Sequence, residues 1–136
     1  MIYLIKIKYF PLIFYKEKPK FSYFRAKRST FAMLYMCYGV DAPDGAKKRE
    51  LARNDHFEYL ETHKDILLLG GATLEDETDI RLGSCLIINV PSREAADAFA
   101  DGEPLRRAGV FKSYTVVRMR RGQWNPGAAP LTPEGN

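Results

Sequence analysis

The chain has 136 residues, 46% of them hydrophobic and 12% aromatic, with a formal net charge of +4. That length suits one domain with a real core and is short for two of typical size. No apolar run reaches the roughly 18 residues a spanning helix needs, and two cysteines and two histidines without CxxC or HExxH spacing set aside a disulfide scaffold and a side-chain zinc or iron site.

Residues 1–32 carry eight lysines or arginines against the single acid Glu17, a local charge of +7 that leaves −3 for the rest of the chain. Lysines interleaved with aromatics suit a membrane surface or single-stranded nucleic acid. Here, however, the apolar positions keep no sustained period and Pro11 and Pro19 interrupt them. The longest apolar stretch lacks a clean signal-peptide cleavage site, and Ser and Arg are too few for a transit peptide. The segment reads as an extension outside the fold, with Met33 the natural beginning, and neither nucleic acid nor membrane is expected as a partner.

From Met33 the pattern is regular. Residues 33–39 are an aromatic-rich strand, and the loop Asp41-Ala42-Pro43-Asp44-Gly45 leads into a helix over 46–63. A second strand starts at 66–69 and runs through Gly70-Gly71, the acidic residues 74–79 turn the chain, and 82–90 form a third strand. Ser92 opens a second helix with Glu94 in its first turn, ending near Gly102. Residues 110–119 supply the last strand, and 123–136 are a Pro/Gly-rich tail after a domain spanning 33–122. Cys37 and Cys85 fall inside apolar strand runs, where reduced structural thiols, and hence a cytoplasmic protein, are expected.

The order βαββαβ is that of an α+β, ferredoxin-like fold, an antiparallel sheet with two helices on one face. Ile66-Leu67-Leu68-Leu69, Cys85-Leu86-Ile87-Ile88 and Thr115-Val116-Val117 are continuous apolar or β-branched runs, so the strands are expected to be buried on both sides. Two helices cover one side only. A second copy packed sheet against sheet, a dimeric α+β barrel, is the expected cover for the other, with the terminal segments as the alternative.

The helix over 46–63 also carries the residues with chemistry. Arg49 and Arg53 are i,i+4 and Arg53 and His56 are i,i+3, so the three run along one side, continued by Leu60. An imidazole at the border of the core stripe can trade protons near neutral pH, although a half-exposed histidine that only caps the core edge has the same pattern. The arginines equally suit a solvated face with Glu50 and Glu58 nearby. His63, near the helix end, reads as a partner of the helix dipole. Arg118, Arg120 and Arg121 extend a basic rim or keep an edge strand soluble.

From Met33 to Trp124 the sequence resembles the YciI, or YCII-related, family. The resemblance lies in a first strand ending in Asp41, in Arg49, Arg53 and His56, in Leu67-Leu68-Leu69-Gly70-Gly71-Ala72 where the family has Ala-Gly-Pro, and in Gly83-Ser84. It continues in Glu103-Pro104-Leu105, standing for Asp-Pro-Tyr, and in Ala108-Gly109-Val110-Phe111. It implies an active site built on the family's histidine and an aspartate, here His56 with Asp41 as the catalytic pair, and substrate contacts from Arg49, Arg53, Gly71, Ser84 and Glu103. It further implies a homodimer and acid–base elimination or isomerisation of a small anionic ring compound, dehydrochlorinase-like, without cofactor or metal. The alternative is a non-catalytic dimeric module that binds a small ligand or partner in the same cleft, because this fold hosts both.

Overall fold

The computed structural model describes residues 32–133, so the expected N-terminal extension lies outside the described residues except for Ala32. The elements are β1 (Met33–Asp41), α1 (Gly45–Thr62), β2 (Leu67–Leu74), β3 (Arg81–Val90), α2 (Arg93–Gly102), the short α3 (Pro104–Arg107) and β4 (Phe111–Met119). A 3-10 turn, Pro126–Ala128, lies in the C-terminal tail. The four strands form one antiparallel sheet in the order β2-β3-β1-β4, the ferredoxin-like arrangement read from the sequence.

One side of the sheet makes the core. Tyr35 and Cys37 of β1 lie opposite Ile88 and Leu86 of β3, and all four bury against Ala96, Phe99 and Ala100 of α2, with Tyr59 and Leu60 of α1 packed alongside. Ser92 caps α2, its Oγ accepting from the Ala95 amide, which fixes where the chain turns from β3 onto the sheet. Burial of Cys37 pushes its thiol up to about 11, and both cysteines are free.

The strands are not buried on both sides within the single chain. In β1 and β3 the burial alternates: Met36 and Ile87, which face each other on the second side, are half-buried, and Val117 beside Met36 is exposed. The leucine run that suggested continuous burial contains an irregularity, because Leu67 pairs with Ile88 and Leu69 with Ile87, leaving Leu68 outside the register. A bulged strand turns successive residues to directions that strict alternation forbids. Leu69 thereby joins the second side, which is apolar and open.

Candidate active site

The site forms where the C-terminal end of β1, the start of β3 and the inner side of α1 converge. Two glycines make that convergence sterically possible. A Cβ on Gly45 would meet the Val110 carbonyl oxygen at 2.7 Å, and one on Gly83 would collide with the carbonyl oxygen of Gly39. The loop therefore closes tightly from Asp41 into α1, sealed by the Ala42 amide donating to Val110 at 2.8 Å.

Asp41 belongs to Arg49. The guanidinium donates from Nη2 to Oδ1 at 2.6 Å and from Nε to Oδ2 at 3.3 Å, and from Nη1 to Ser84 Oγ at 3.1 Å. The two side chains are only 12% and 10% exposed, and the Phe111 ring lies 5.6 Å from the guanidinium. This bidentate fork ties β1, α1 and β3 together, so Arg49 and Ser84 are engaged with the protein itself.

The carboxylate on His56 is Glu103. Its Oε1 lies 2.6 Å from Nδ1, and the side chains are 13% and 2% exposed. Glu103 also caps α3, with Oε1 accepting from the Leu105 amide at 3.1 Å and Oε2 from the Arg106 amide at 2.9 Å. Pro104 holds the first helical position, where its missing N–H costs nothing. With its oxygens already turned to two backbone amides, Glu103 is placed to accept the Nδ1 hydrogen of His56, the tautomer whose neutral ring has its lone pair on Nε2. The pairing of His56 with Asp41 expected from the sequence is thus corrected: Glu103, expected as a substrate contact, holds the imidazole, and both Asp41 oxygens face Arg49.

These groups border a cleft of about 980 Å³ whose wall includes Asp41, Arg49, Arg53, His56, Gly71 and Ser84. Arg53 is exposed at the rim, its guanidinium 5.6 Å from the Phe57 ring, with no ion-pair partner among the described residues. Arg49 and His56 are half-buried on the inner side of α1 with Ala52 and Leu60, and Arg53 between them is exposed but lines the same cleft. Gly71 has nothing within 4 Å of where a Cβ would stand, so its wall is open. Phe57, Leu60, Ile80 and Leu105 add apolar surface, and Arg81 at the start of β3, which no sequence motif marks, adds a second cation with no ion-pair partner among the described residues. No group of three or more His, Cys, Asp or Glu able to hold a metal ion occurs among the described residues.

His63 lies apart from this cleft. It ends α1, with Nδ1 donating to the Tyr59 carbonyl at 2.8 Å and its ring packed on Tyr59 and Phe99, the helix-end role expected for it.

Residues 33–120 match the YCII-related domain. The chain belongs to the YCII-related family. Protein YciI of Escherichia coli O6:H1 is 34% identical over 96 residues, which cover 65% of this chain and 98% of that protein, and Protein YciI of Shigella flexneri matches to the same extent. Among solved structures, 5-chloro-2-hydroxyhydroquinone dehydrochlorinase from Burkholderia phenoliruptrix AC1100, in complex with 2,5-dihydroxybenzoquinone, is similar with a TM-score of 0.62 and 31% identity. That match covers 66% of this chain and 96% of the dehydrochlorinase. No helix among the described residues of this YCII-related protein is long and apolar enough to cross a membrane.

Proposed function

We propose that the cleft is an acid–base site acting on a small anionic ring compound, with His56 as the catalytic base and Glu103 as the residue that positions it. The observation that carries the reading is the Nδ1–Glu103 hydrogen bond, which leaves the lone pair of Nε2 available at a cleft lined by His56 itself. In an elimination, Nε2 takes a proton from a ring hydroxyl or carbon. The released electron pair moves into the ring, and the leaving group departs with its bonding pair, as chloride from a chlorinated ring. The imidazolium so formed is stabilised by the Glu103 carboxylate and passes its proton to water. Arg53, without an ion-pair partner among the described residues, attracts the anionic substituent at the rim, while Arg49, its charge balanced by Asp41, fixes the shape of the floor. Similarity to a dehydrochlorinase that was solved with a hydroxylated quinone supports the substrate class.

A screen of carboxylated, phenolic and chlorinated hydroxyquinol compounds, followed by product absorbance and halide release, tests the proposal. On any substrate found, His56→Ala is expected to lower turnover by about 10² to 10⁴ with the fold intact. Arg53→Ala is expected to raise KM while leaving kcat nearly unchanged. Unchanged turnover in His56→Ala would refute the catalytic role, and saturable binding without turnover across the screen would establish the ligand-binding alternative.

We further infer a homodimer formed through the open side of the sheet. Met36, Ile87, Leu69 and Val117 present contiguous apolar surface there, which soluble monomers rarely leave uncovered. Free thiols at Cys37 and Cys85 suit a reducing, cytoplasmic location.

A further inference from the structure

The end of the sheet remote from the cleft carries a second concavity, of about 1000 Å³. Arg118, Arg120 and Arg121 line it with Leu68 and Trp124, and Asp65 is its one acid. Three arginines elsewhere in the fold are paired, Arg49 with Asp41, Arg93 with Asp97 and Arg106 with Asp101, whereas Arg53 and Arg81 stand at the cleft. The three in this groove have no ion-pair or hydrogen-bond partner among the described residues, and Trp124 beside them is 54% exposed. They stand on an acidic body, since the chain from Met33 onward carries −3 with them and −6 without them.

At the opposite end, the turn between β2 and β3 reads Glu75-Asp76-Glu77-Thr78-Asp79. The Glu75 amide donates to the Ile80 carbonyl at 3.0 Å, and Thr78 Oγ1 donates to Glu75 and accepts from the Ile80 amide. The turn is thus closed on itself with four exposed carboxylates and no ion pair among the described residues. Leu74, Ile80 and Leu82 flank it with exposed apolar surface.

We propose that the arginine groove receives the acidic β2–β3 turn of a second copy of this chain. β2 and β3 are 8 and 10 residues long, which at about 3.4 Å per residue puts the turn roughly 30 Å from the groove of its own chain. A two-fold axis that sets the strands of two copies in opposite directions lays each turn over the other's groove, so both contacts form at once. The groove also shares Leu34, Asn89 and Met119 with the open side of the sheet, where these three residues are in register. The inference builds on the open-sheet dimer proposed above and adds its direction: apolar burial supplies affinity, and charge sets the orientation. Asp79, Ile80 and Arg81 also wall the cleft beside His56, so the partner's groove becomes the outer support of that wall.

The test is sedimentation equilibrium of the full chain at low and high salt, with circular dichroism to check folding. The triple variants Glu75→Lys/Asp76→Lys/Glu77→Lys and Arg118→Glu/Arg120→Glu/Arg121→Glu are each expected to weaken self-association at least about tenfold, since each alone faces like charges. Mixed in equal amounts they restore both attractive contacts and are expected to form a dimer as tight as the parent. Parent-like self-association of both variants, while Val117→Glu on the open side dissociates the dimer, would overturn the inference and leave the open-sheet dimer standing. A parent that stays monomeric would overturn both. Loss of binding to a labelled single-stranded oligonucleotide in the arginine variant, with self-association unchanged, would assign the groove to nucleic acid and also overturn it.

Discussion

Replacing Glu103 separates two jobs that one carboxylate performs. In Glu103→Ala the α3 cap is lost, which costs about 1 kcal/mol, and the His56 Nδ1–H is left without its acceptor at a largely buried position, which costs about 1 to 3 kcal/mol more. A loss of roughly 2 to 4 kcal/mol lowers the melting temperature of a domain this size by roughly 10 °C or more. Glu103→Gln keeps the volume but offers one oxygen where three donors converge, so the amide nitrogen must face a donor or the imidazole must change tautomer. If the imidazole yields, Nε2 acquires the hydrogen and can no longer accept a proton. Turnover is then expected to fall by about 10² to 10⁴ while most of the stability remains. Chemical denaturation measures the first effect, and nitrogen-15 correlation spectra of the imidazole report the tautomer independently of any substrate. An alanine variant within about 0.5 kcal/mol of the parent would refute the capping argument, and an unchanged Nδ1–H tautomer in the glutamine variant would refute the positioning argument.

Asp41→Asn removes the charge that Arg49 faces and is expected to destabilise the fold by about 3 kcal/mol, because a largely buried guanidinium is left uncompensated; urea titration checks this. Gly83→Ala drives a Cβ into the Gly39 carbonyl, and loss of soluble folded protein, seen by size exclusion and circular dichroism, is the expected outcome. The Cys37 thiol is raised from about 9 to about 11 by burial, so the folded state holds a proton that the unfolded state releases between those values. Its contribution to stability is complete below about pH 9 and is lost as pH rises toward 11, and Cys37→Ala should flatten that part of a stability–pH profile. A chain starting at Met33 keeps the whole described core and is expected to melt within a few degrees of the full chain in a thermal scan; a larger loss would place residues 1–32 in the fold.

The helices and strands were legible because each is punctuated by residues with strong local meaning. Ser92 before an alternating helix and the acidic run after Gly70-Gly71 could each be read in only one way. What escaped was α3, four residues long and without a period, although Glu103-Pro104 is itself a helix-start signal, an acceptor followed by the one residue suited to the first turn. Missing that helix also hid the partner of His56. Spacing along α1 placed the imidazole at the border of the core stripe, where it is half-buried, but the carboxylate that meets it comes from 47 residues away, across a loop whose path no local pattern specifies. Asp41 was credited instead because it ends the neighbouring strand, and the nearby arginine that claims it was assigned to the substrate. Arg81 was passed over because its place in the cleft wall follows from where the start of β3 lies in the fold rather than from any motif.

The close approach of β1 to β3 at Gly39 and Gly83 has a bearing on how such a protein could diversify. A side chain on Gly39 would strike the Phe111 ring at 2.6 Å, and Gly83 has no room at all, so the floor beneath Arg49 cannot be lowered, raised or recontoured by substitution there. Adaptation to ligands of a different girth must come from the rim, where Phe57, Ile80 and Arg81 are exposed and Gly71 has space for a side chain. Descendants of this sequence would therefore keep one reactive depth and trade substrates by exchanging the edge, much as a lathe keeps its chuck and changes its tools.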